Sequence, residues 1–529
     1  METYRKAGSF RSVAELREYL AANNIDIPLA EEAEHAAMAQ SAELFGRTLP
    51  NRWALLPMEG WDCTAGGAPS ELTVRRWTHF GESGAALICG TEAGAVMHEG
   101  RSNPRQLLVT RENLPELKAA VAAMRKAHAE RYGTAGDFLV GLQLTHSGRF
   151  AHPNRDDKLE SAVAWTHPLL DRKFGAPRVV TDDEVGIIVR AYGEAARVAR
   201  EAGFDFVDLK HAHGYLAHDF LTAYGRPGPY GGSFENRTRF SREMAECVKE
   251  ACPDMPIAMR LSIFDILPFE KGPDGLGRPM AIQDKIQSGE VQISDLRSHS
   301  KSGEVQISDR RSQKVRPFGA AEDCLSMDPD LQEPTAFLEM MRGYGLELVC
   351  GTIGSPYYSV HIQRPAYFPV CDGYLPPQDP LRSVALHIAA ARRLKERCPW
   401  AKIILSGITC LQEYAGCAAE AAVAPAATAA GAVPSSKFLV PSSRCQPSNR
   451  QTVKPSNQPV KSAAADFAGH GRMALSYPEY CADHLAGGKF DRRRICRTFG
   501  ECTNAPRHGR VSGCYPLDVF YKTLEKGLN

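Results

Sequence analysis

Short apolar runs alternate with amphipathic stretches along most of the chain. Eight of the runs are apolar nearly throughout and are six to nine residues long, which is typical of buried strands. Between several of them, apolar residues recur every three or four positions, as they do on one face of a helix. The strand-like runs are 53–58, 85–92, 138–146, 206–212, 256–262, 346–353, 402–407 and 466–472, and the helix-like stretches are 112–132, 182–202, 235–251, 333–343 and 380–396.

This alternation predicts the fold class. Strands that are apolar on both faces and are separated by helices indicate a parallel sheet covered by helices. Eight such repeats predict an α/β protein with a closed (β/α)8 or TIM barrel rather than an open sheet. We place this single catalytic domain at 51–486, with an N-terminal helical lead-in at 1–50 and a C-terminal cysteine-containing tail at 487–529.

Two stretches depart from the alternation. The first, at about 283–316, contains SGEVQISD at 288–295 and again at 302–309. The second, at about 418–464, begins rich in Ala and continues rich in Ser, Pro, Gln and Asn. Such compositions bury too little apolar surface to offset chain entropy. We therefore predict two flexible low-complexity insertions, the second of which damages or displaces the seventh helix of the barrel.

Composition excludes several classes of protein. Lys and Arg number 63 against 62 Asp and Glu, a net charge of +1, which argues against a nucleic-acid partner. Mean hydropathy is −0.31, and we find no apolar run near the ~20 residues of a membrane helix and no apolar signal-peptide core in residues 1–25. The 15 scattered Cys, without a C-x-x-C pair, favour reduced thiols. We expect a cytoplasmic protein with a small-molecule substrate and no membrane partner.

Candidate chemistry lies where the predicted strands end, because a TIM barrel builds its site from those ends. A buried ionisable group without a partner is costly, so several on one rim favour a functional site. In addition, Gly-His-Gly-Arg at 469–472 brings backbone N–H groups and a permanent charge, which suits a phosphate near strands seven and eight. The ionisable side chains that should converge are His146, Lys210, His213, Tyr215 and Arg260.

The segment 213–240, HGYLAHDFLTAYGRPGPYGGSFENRTRF, is the most specific in the chain. Together with Pro57-Met58, QLTHSGR at 143–149 and GRMALSYPE at 471–479, it resembles the Old Yellow Enzyme family. Members of that family are FMN-dependent NADH:flavin oxidoreductases built on a single (β/α)8 barrel. The resemblance runs from about 50 to 486, interrupted by the two predicted insertions, and it leaves room for a homo-oligomer.

The resemblance implies FMN as the cofactor and NADH or NADPH as the transient reductant. Gln143 would hydrogen-bond the pyrimidine edge, Arg260 would stabilise the reduced flavin, and the residues near strands seven and eight would hold the phosphate. No resident metal is implied. The residues implied to bind the cofactor are Pro57, Met58, Glu59, Gly90, Gln143, Arg260, Ser406, Gly407, Gly471 and Arg472.

The resemblance also implies the catalytic side chains. Lys210 and His213 would bind the carbonyl oxygen of the substrate, an electron-poor alkene such as an α,β-unsaturated carbonyl compound. Tyr215 would donate a proton to the α-carbon of that substrate. Lys210 stands where the family often has His, and an ammonium differs from an imidazole in reach and charge. The identity of the substrate therefore stays open.

Several alternatives also stay open. Relatives that oxidise amines carry a His two residues before a Tyr, as His213 and Tyr215 do here, so an amine dehydrogenase or demethylase is one alternative. A Schiff base at Lys210 is a second alternative, and a barrel inactivated by its insertions is a third. Larger relatives hold an iron–sulfur cluster after the barrel, but the tail offers three thiols where such a cluster needs four ligands. These thiols are Cys496, Cys502 and Cys514.

Overall fold

The computed structural model describes residues 4–31, 35–134, 136–280, 315–321, 324, 327–371, 373–424 and 463–527. Eight parallel strands form a closed barrel, because each strand pairs with the next and the last pairs with the first. The strands are β1 Trp53–Leu55, β2 Leu87–Ile88, β3 Leu139–Thr145, β4 Phe206–His211, β5 Ile257–Ser262, β6 Leu346–Thr352, β7 Lys402–Leu405 and β8 Phe467–His470. The predicted TIM barrel and all eight predicted strands are confirmed.

One helix of the outer layer follows each strand. Sequence signals set several of their ends: Ser70 and Thr181 form capping boxes at the starts of two helices, and Gly203, with φ of 96°, ends one of them. The eight helices are α1 Glu71–Gly81, α2 Leu114–Tyr132, α3 Asp182–Ala202, α4 Arg239–Ala251, α5 Gln332–Arg342, α6 Pro380–Arg397, α7 Ala415–Val423 and α8 Tyr480–Leu485.

Shorter elements decorate the barrel. The additional helices are Val13–Ala22, Pro168–Phe174, Leu216–Leu221, Phe234–Arg237, Val360–Gln363, Met473–Ser476, Glu501–Arg507 and Val519–Gly527. The additional strands are Ala42–Leu44, Arg47–Leu49, Ala93–Ala95, Ala162–Val163, Arg178–Val179, Phe269–Lys271 and Gly277–Pro279, and single 3-10 turns lie at Ala7–Ser9, His98–Gly100, Arg111–Asn113, Gly148–Phe150 and Ile408–Tyr414. None of the helices in the described ranges combines the length and apolar character needed to cross a bilayer.

The N-terminal lead-in is only partly helical, which corrects our prediction. After the helix Val13–Ala22 the chain forms an antiparallel hairpin that pairs Ala42–Leu44 with Arg47–Leu49. Leu44 and Leu49 are buried in the apolar cluster that fills the barrel interior. The hairpin therefore covers the amino-terminal end of the barrel, because its alternating residues give it one apolar face.

The seventh helix is present, contrary to our prediction. Residues 415–423 form α7, and its Ala residues are buried against the barrel, so the second insertion does not begin at 418. Strand β8 pairs with both β7 and β1, so the described chain has the eighth strand in place. The bulk of both predicted insertions, 283–314 and 425–462, lies outside the described residues.

Alternation along the strands decides which side chains face the interior. On β4, Phe206 lies in the apolar interior cluster, so Asp208 and Lys210 point inward too. On β5, Ala258 lies in the same cluster, so Arg260 points inward at the carboxyl end. His211, one residue beyond Lys210, points outward instead and its Nε2 lies 2.9 Å from the Ser241 hydroxyl on α4.

Candidate active site

A cavity of about 600 Å³ opens at the carboxyl end of the barrel strands. Its size falls within the range of small-molecule and cofactor sites. Twelve of the thirteen residues that the sequence singled out for cofactor binding and catalysis line it. They are Pro57, Met58, Glu59, Gln143, Lys210, His213, Tyr215, Arg260, Ser406, Gly407, Gly471 and Arg472.

Two expected residues do not line the cavity. Gly90 lies behind its wall with φ of 75°, and a Cβ there would come within 2.9 Å of the Gln143 Cβ, so a glycine is needed for the packing. His146 is buried, and its Nδ1 accepts a hydrogen bond of 3.1 Å from the Gly148 N–H. The prediction that His146 joins the ionisable cluster at the rim is therefore wrong, because its ring packs within the loop that follows β3.

Next to Gln143, which lines the cavity, lies a buried carboxylate that sequence reasoning missed. The Gln143 amide donates a hydrogen bond of 2.6 Å to Asp208 Oδ2, and Asp208 Oδ1 has no partner among the described residues. Burial raises the pKa of Asp208 to about 6. The two residues are register partners on β3 and β4, a signal that appears only once the strands are paired. Asp208 therefore fixes the orientation of the Gln143 amide.

Lys210 lies between an anion and an aromatic ring. Its Nζ is 3.7 Å from Glu59 Oε1 and 3.7 Å from the centroid of the Tyr215 ring. Glu59 Oε2 also accepts a hydrogen bond of 2.8 Å from the Ser102 hydroxyl. Burial lowers the pKa of Lys210 to about 8, although Glu59 opposes this shift. A lysine held this way changes its charge close to neutral pH.

His213 is held by its backbone and by an amide. Its φ is 69°, its carbonyl accepts a hydrogen bond of 2.9 Å from the Ser355 hydroxyl, and its Nε2 lies 3.1 Å from the Gln363 side-chain nitrogen. Burial lowers the pKa of His213 well below its usual value, and the charges of Arg260 and Lys210 act in the same direction. The imidazole is therefore neutral at physiological pH.

Tyr215 begins the short helix Leu216–Leu221 and joins a second tyrosine that sequence reasoning missed. The Tyr215 and Tyr357 hydroxyl oxygens are 3.0 Å apart. The Tyr357 ring stacks on Phe150, with centroids 3.8 Å apart. Burial raises the pKa of Tyr215 well above its usual value, and Glu59 adds to this. The phenol is therefore protonated and can donate a hydrogen bond or a proton.

The opposite end of the cavity is suited to an anion. Gly407 has φ of 85°, and a Cβ there would come within 2.5 Å of the His387 ring, while a Cβ at Gly471 would come within 2.9 Å of Met58 Sδ. The absence of side chains leaves the backbone accessible to a ligand. Arg472 Nη2 donates a hydrogen bond of 3.2 Å to the Pro365 carbonyl, and Arg472 Nη1 is buried without a hydrogen-bond partner among the described residues. Arg472 also lines the cavity, and its fixed positive charge suits an anionic ligand.

The predicted C-terminal tail forms part of the cavity wall, which its sequence did not indicate. Arg364 donates hydrogen bonds to the Thr503 hydroxyl and, at 3.6 Å, to the Cys502 sulfur. The Ser512 N–H donates a hydrogen bond of 2.7 Å to the Gly60 carbonyl. Cys502, Thr503, Pro506, Arg507, Gly509 and Ser512 all line the cavity. The three tail thiols do not form a cluster of metal-ligand spacing within the described chain.

A family model matches the part of the chain that forms the first five barrel strands. The NADH:flavin oxidoreductase / NADH oxidase family matches residues 44–297, which include β1 to β5 and the segment 213–240. This part of the chain is similar to that family. It is 30% identical over 232 residues to an NADPH dehydrogenase of Geobacillus sp., a match that covers 42% of this chain and 62% of the relative. The chain thus matches less than two thirds of that relative's length.

Solved structures of the same fold extend over nearly the whole chain. A 2-naphthoyl-CoA reductase in complex with 2-naphthoyl-CoA has a TM-score of 0.58 at 15% identity, covering 91% of this chain and 57% of that one. Morphinone reductase in complex with tetrahydroNAD has a TM-score of 0.50 at 17% identity, covering 86% of this chain and 92% of that one. At these identities the likeness supports the barrel fold alone.

Proposed function

We propose that this chain is an FMN-dependent oxidoreductase that takes hydride from NADH or NADPH and passes it to an electron-poor alkene, such as an α,β-unsaturated carbonyl compound. One observation carries the proposal. In a chain that matches the flavin oxidoreductase family over residues 44–297, Arg260 and Arg472 line the same cavity as Lys210 and Tyr215. The cavity thus combines an anion-binding end with groups that can polarise and protonate a substrate.

The residues of the cavity fit FMN. Arg472, Ser406 and the exposed backbone at Gly407 and Gly471 would hold its phosphate. When bound, FMN supplies hydride transfer, accepting two electrons from a nicotinamide and passing them to an acceptor. Arg260 would add a fixed positive charge to the FMN site, which favours hydride uptake.

Substrate binding would depend on Lys210 and His213. An ammonium at Lys210 Nζ, steadied by Glu59, attracts negative charge that develops on a carbonyl oxygen. The neutral His213 imidazole hydrogen-bonds the same oxygen, with Gln363 orienting the ring. Together they would stabilise the enolate that forms when the β-carbon of an enone gains hydride.

Tyr215 would complete the reaction by protonating the α-carbon from its hydroxyl. Its raised pKa keeps the proton in place until the carbanion-like carbon forms beside it. The hydroxyl of Tyr357, 3.0 Å away, lies within hydrogen-bond distance and could return a proton to Tyr215. Proton transfer thus follows hydride transfer without an ionised tyrosine in the resting enzyme.

The same contacts bear on the alternatives. An amine oxidase of this fold would need its aromatic surface free for a cationic substrate. Here the Lys210 ammonium occupies the face of the Tyr215 ring at 3.7 Å and would repel an ammonium substrate. A Schiff base at Lys210 would give no role to Arg260 and Arg472, which line the same cavity. Alkene reduction uses all of these groups.

A visible absorption spectrum of the purified full chain tests the proposal. Under anaerobic conditions the oxidised-flavin bands should bleach with NADPH or NADH and return when an enone is added. A protein that gains no flavin bands with added FMN would overturn the proposal, and borohydride trapping at Lys210 would then test the Schiff base. Bleaching without return would contradict the alkene acceptor, and bleaching by an amine alone would favour the amine dehydrogenase.

A further inference from the structure

A second cavity, of about 250 Å³, lies between α7, α8 and the N-terminal segment. It shares no lining residue with the active-site cavity. His35, His484 and Cys417 are among its lining residues, and Glu420 lies one turn further along α7 than Cys417. These residues are far apart in the sequence, so the tertiary fold alone assembles them.

Three potential metal-ligating atoms meet there. His35 Nδ1 lies 3.5 Å from His484 Nε2, and His484 Nε2 lies 2.9 Å from Glu420 Oε1. The three atoms all lie within 4.8 Å of one another. In a tetrahedral zinc site with bonds of about 2.0–2.1 Å, neighbouring ligand atoms are roughly 3.3 Å apart. The observed separations bracket that value.

A single proton can hold these three atoms together. When His484 Nε2 carries it, the N–H donates to Glu420 Oε1 at 2.9 Å and also faces the lone pair of His35 Nδ1 at 3.5 Å. A metal ion in place of that proton would be bound by a lone pair of each of the three atoms, which lie at the spacing that zinc ligands have.

Glu420 is a buried carboxylate that pairs with a histidine rather than with Lys or Arg. It is 2% exposed, and in the described chain its ion-pair partner is His484, with no Lys or Arg within salt-bridge distance. Its Oε2 accepts hydrogen bonds from the backbone N–H groups of Ala37, at 2.8 Å, and Met38, at 3.1 Å. Oε1 is thereby directed toward the two imidazoles. Buried carboxylates of this kind are commonly paired or bound to metal.

Close packing holds both rings. A Cβ at Gly416 would come within 2.5 Å of His484 Nδ1, and the Trp53 ring packs edge-on against His484 with centroids 5.2 Å apart. At Gly488, whose φ is 71°, a Cβ would come within 2.7 Å of His35 Cε1. The glycines leave space for the two imidazoles, which fixes the donor atoms before any ion arrives.

We propose that His35, Glu420 and His484 bind one Zn²⁺ ion, whose fourth position faces the 250 Å³ cavity and takes water. Two imidazoles and one carboxylate are a donor set that suits zinc. The ion joins the N-terminal segment to α7 and α8, so it stabilises the docking of residues 35–38 on the barrel. This site goes beyond the proposed oxidoreductase activity and does not depend on it.

The test compares zinc binding by the full-length wild-type chain and by His35→Gln and Glu420→Gln variants after chelator treatment. Calorimetric titration with ZnCl2 should give one equivalent bound by the wild type, and each variant should bind at least about tenfold more weakly. The thermal midpoint of the wild type should rise with added zinc, because the ion binds the folded state. That rise should be lost in His35→Gln.

The matched control is His98→Gln, which removes an exposed imidazole that hydrogen-bonds Asn154 outside both cavities. It should bind zinc as the wild type does. Wild-type protein that binds no zinc would overturn the proposal, as would equal binding by His35→Gln, which would point to the tail thiols. If Glu420→Gln fails to fold, the half-buried His35 still decides the result.

Discussion

The two ends of the barrel interior differ in chemistry although the same strands line both. At the amino-terminal end, Phe206 of β4 and Ala258 of β5 lie in an apolar cluster closed by the hairpin at 42–49. Two positions further along the same strands, the inward side chains are Asp208 and Arg260. The earlier inward positions of these strands therefore belong to the apolar core, and the later ones belong to the candidate active site.

Burial has opposite consequences at the two ends. At the apolar end it removes hydrocarbon from water, which stabilises the fold by roughly 25 cal/mol for each Å². At the polar end it favours the neutral forms of two groups, raising the pKa of Asp208 to about 6 and lowering that of Lys210 to about 8. The polar end therefore costs folding free energy and keeps charges whose ionisation is sensitive to a ligand.

Replacing Tyr215 with Phe should have the largest effect of the four changes. The effect should be on the reaction at the polar end of the barrel and not on the apolar end. Loss of a positioned proton donor slows protonation by roughly 10²–10⁴-fold, so alkene reduction should slow by that factor while NAD(P)H still bleaches the flavin. Stopped-flow measurement of each half-reaction separates the two steps. Equal slowing of both would contradict the role of Tyr215, and Tyr19→Phe, outside the cavity, is the matched control.

Replacing Phe206 with Ala should test the apolar end. Its ring packs against Gly141, where a Cβ would come within 2.3 Å, and against Phe45. Truncating a buried Phe costs about 3–5 kcal/mol, so the urea midpoint should fall while the folded protein keeps its FMN affinity. The control is Phe499→Ala, which removes a ring that is 40% exposed and should cost less. Loss of FMN affinity with little loss of stability would contradict the assignment of Phe206 to the stabilising, apolar end of the barrel.

Replacing Arg472 with Gln should weaken FMN without unfolding the chain. A hydrogen bond to a charged group contributes about 1.5–3 kcal/mol, so the dissociation constant should rise by roughly 10–100-fold. Fluorescence titration of the apoprotein with FMN measures it. Arg197→Gln, at an exposed arginine of α3 that pairs with Glu194 outside the cavity, should bind FMN normally. An unchanged affinity in Arg472→Gln would exclude that side chain from the phosphate site.

The smallest effect should be a pH dependence. Below a pKa of about 8 Lys210 is the charged ammonium, and above it the amine. Alkene reduction by the reduced enzyme should therefore slow as pH rises through about 8, while a Lys210→Met variant, slower throughout, should lose this step. A pH profile of that half-reaction measures both. A wild-type rate that increases across the same range would contradict an essential ammonium.

Much of the fold could be predicted from the sequence. The eight apolar runs and the helical periodicity between them predicted every barrel strand, because a strand buried on both faces must be apolar along its length. Twelve of the thirteen candidate site residues also line one cavity, because the parallel strands of the barrel all end on the same rim. The hairpin at 42–49 was missed because its strands are only three residues long, which is too short for their alternation to stand out.

Contacts between residues that are far apart in the chain could not be predicted from the sequence. Local sequence determined the strands, the capped helices and the motif at 213–240, because periodicity and capping act within a few residues. The contacts of Tyr215 with Tyr357, of Gln143 with Asp208 and of His35 with His484 join residues far apart in sequence. Those contacts depend on strand register and on how the tail and lead-in dock, and long-range packing sets both.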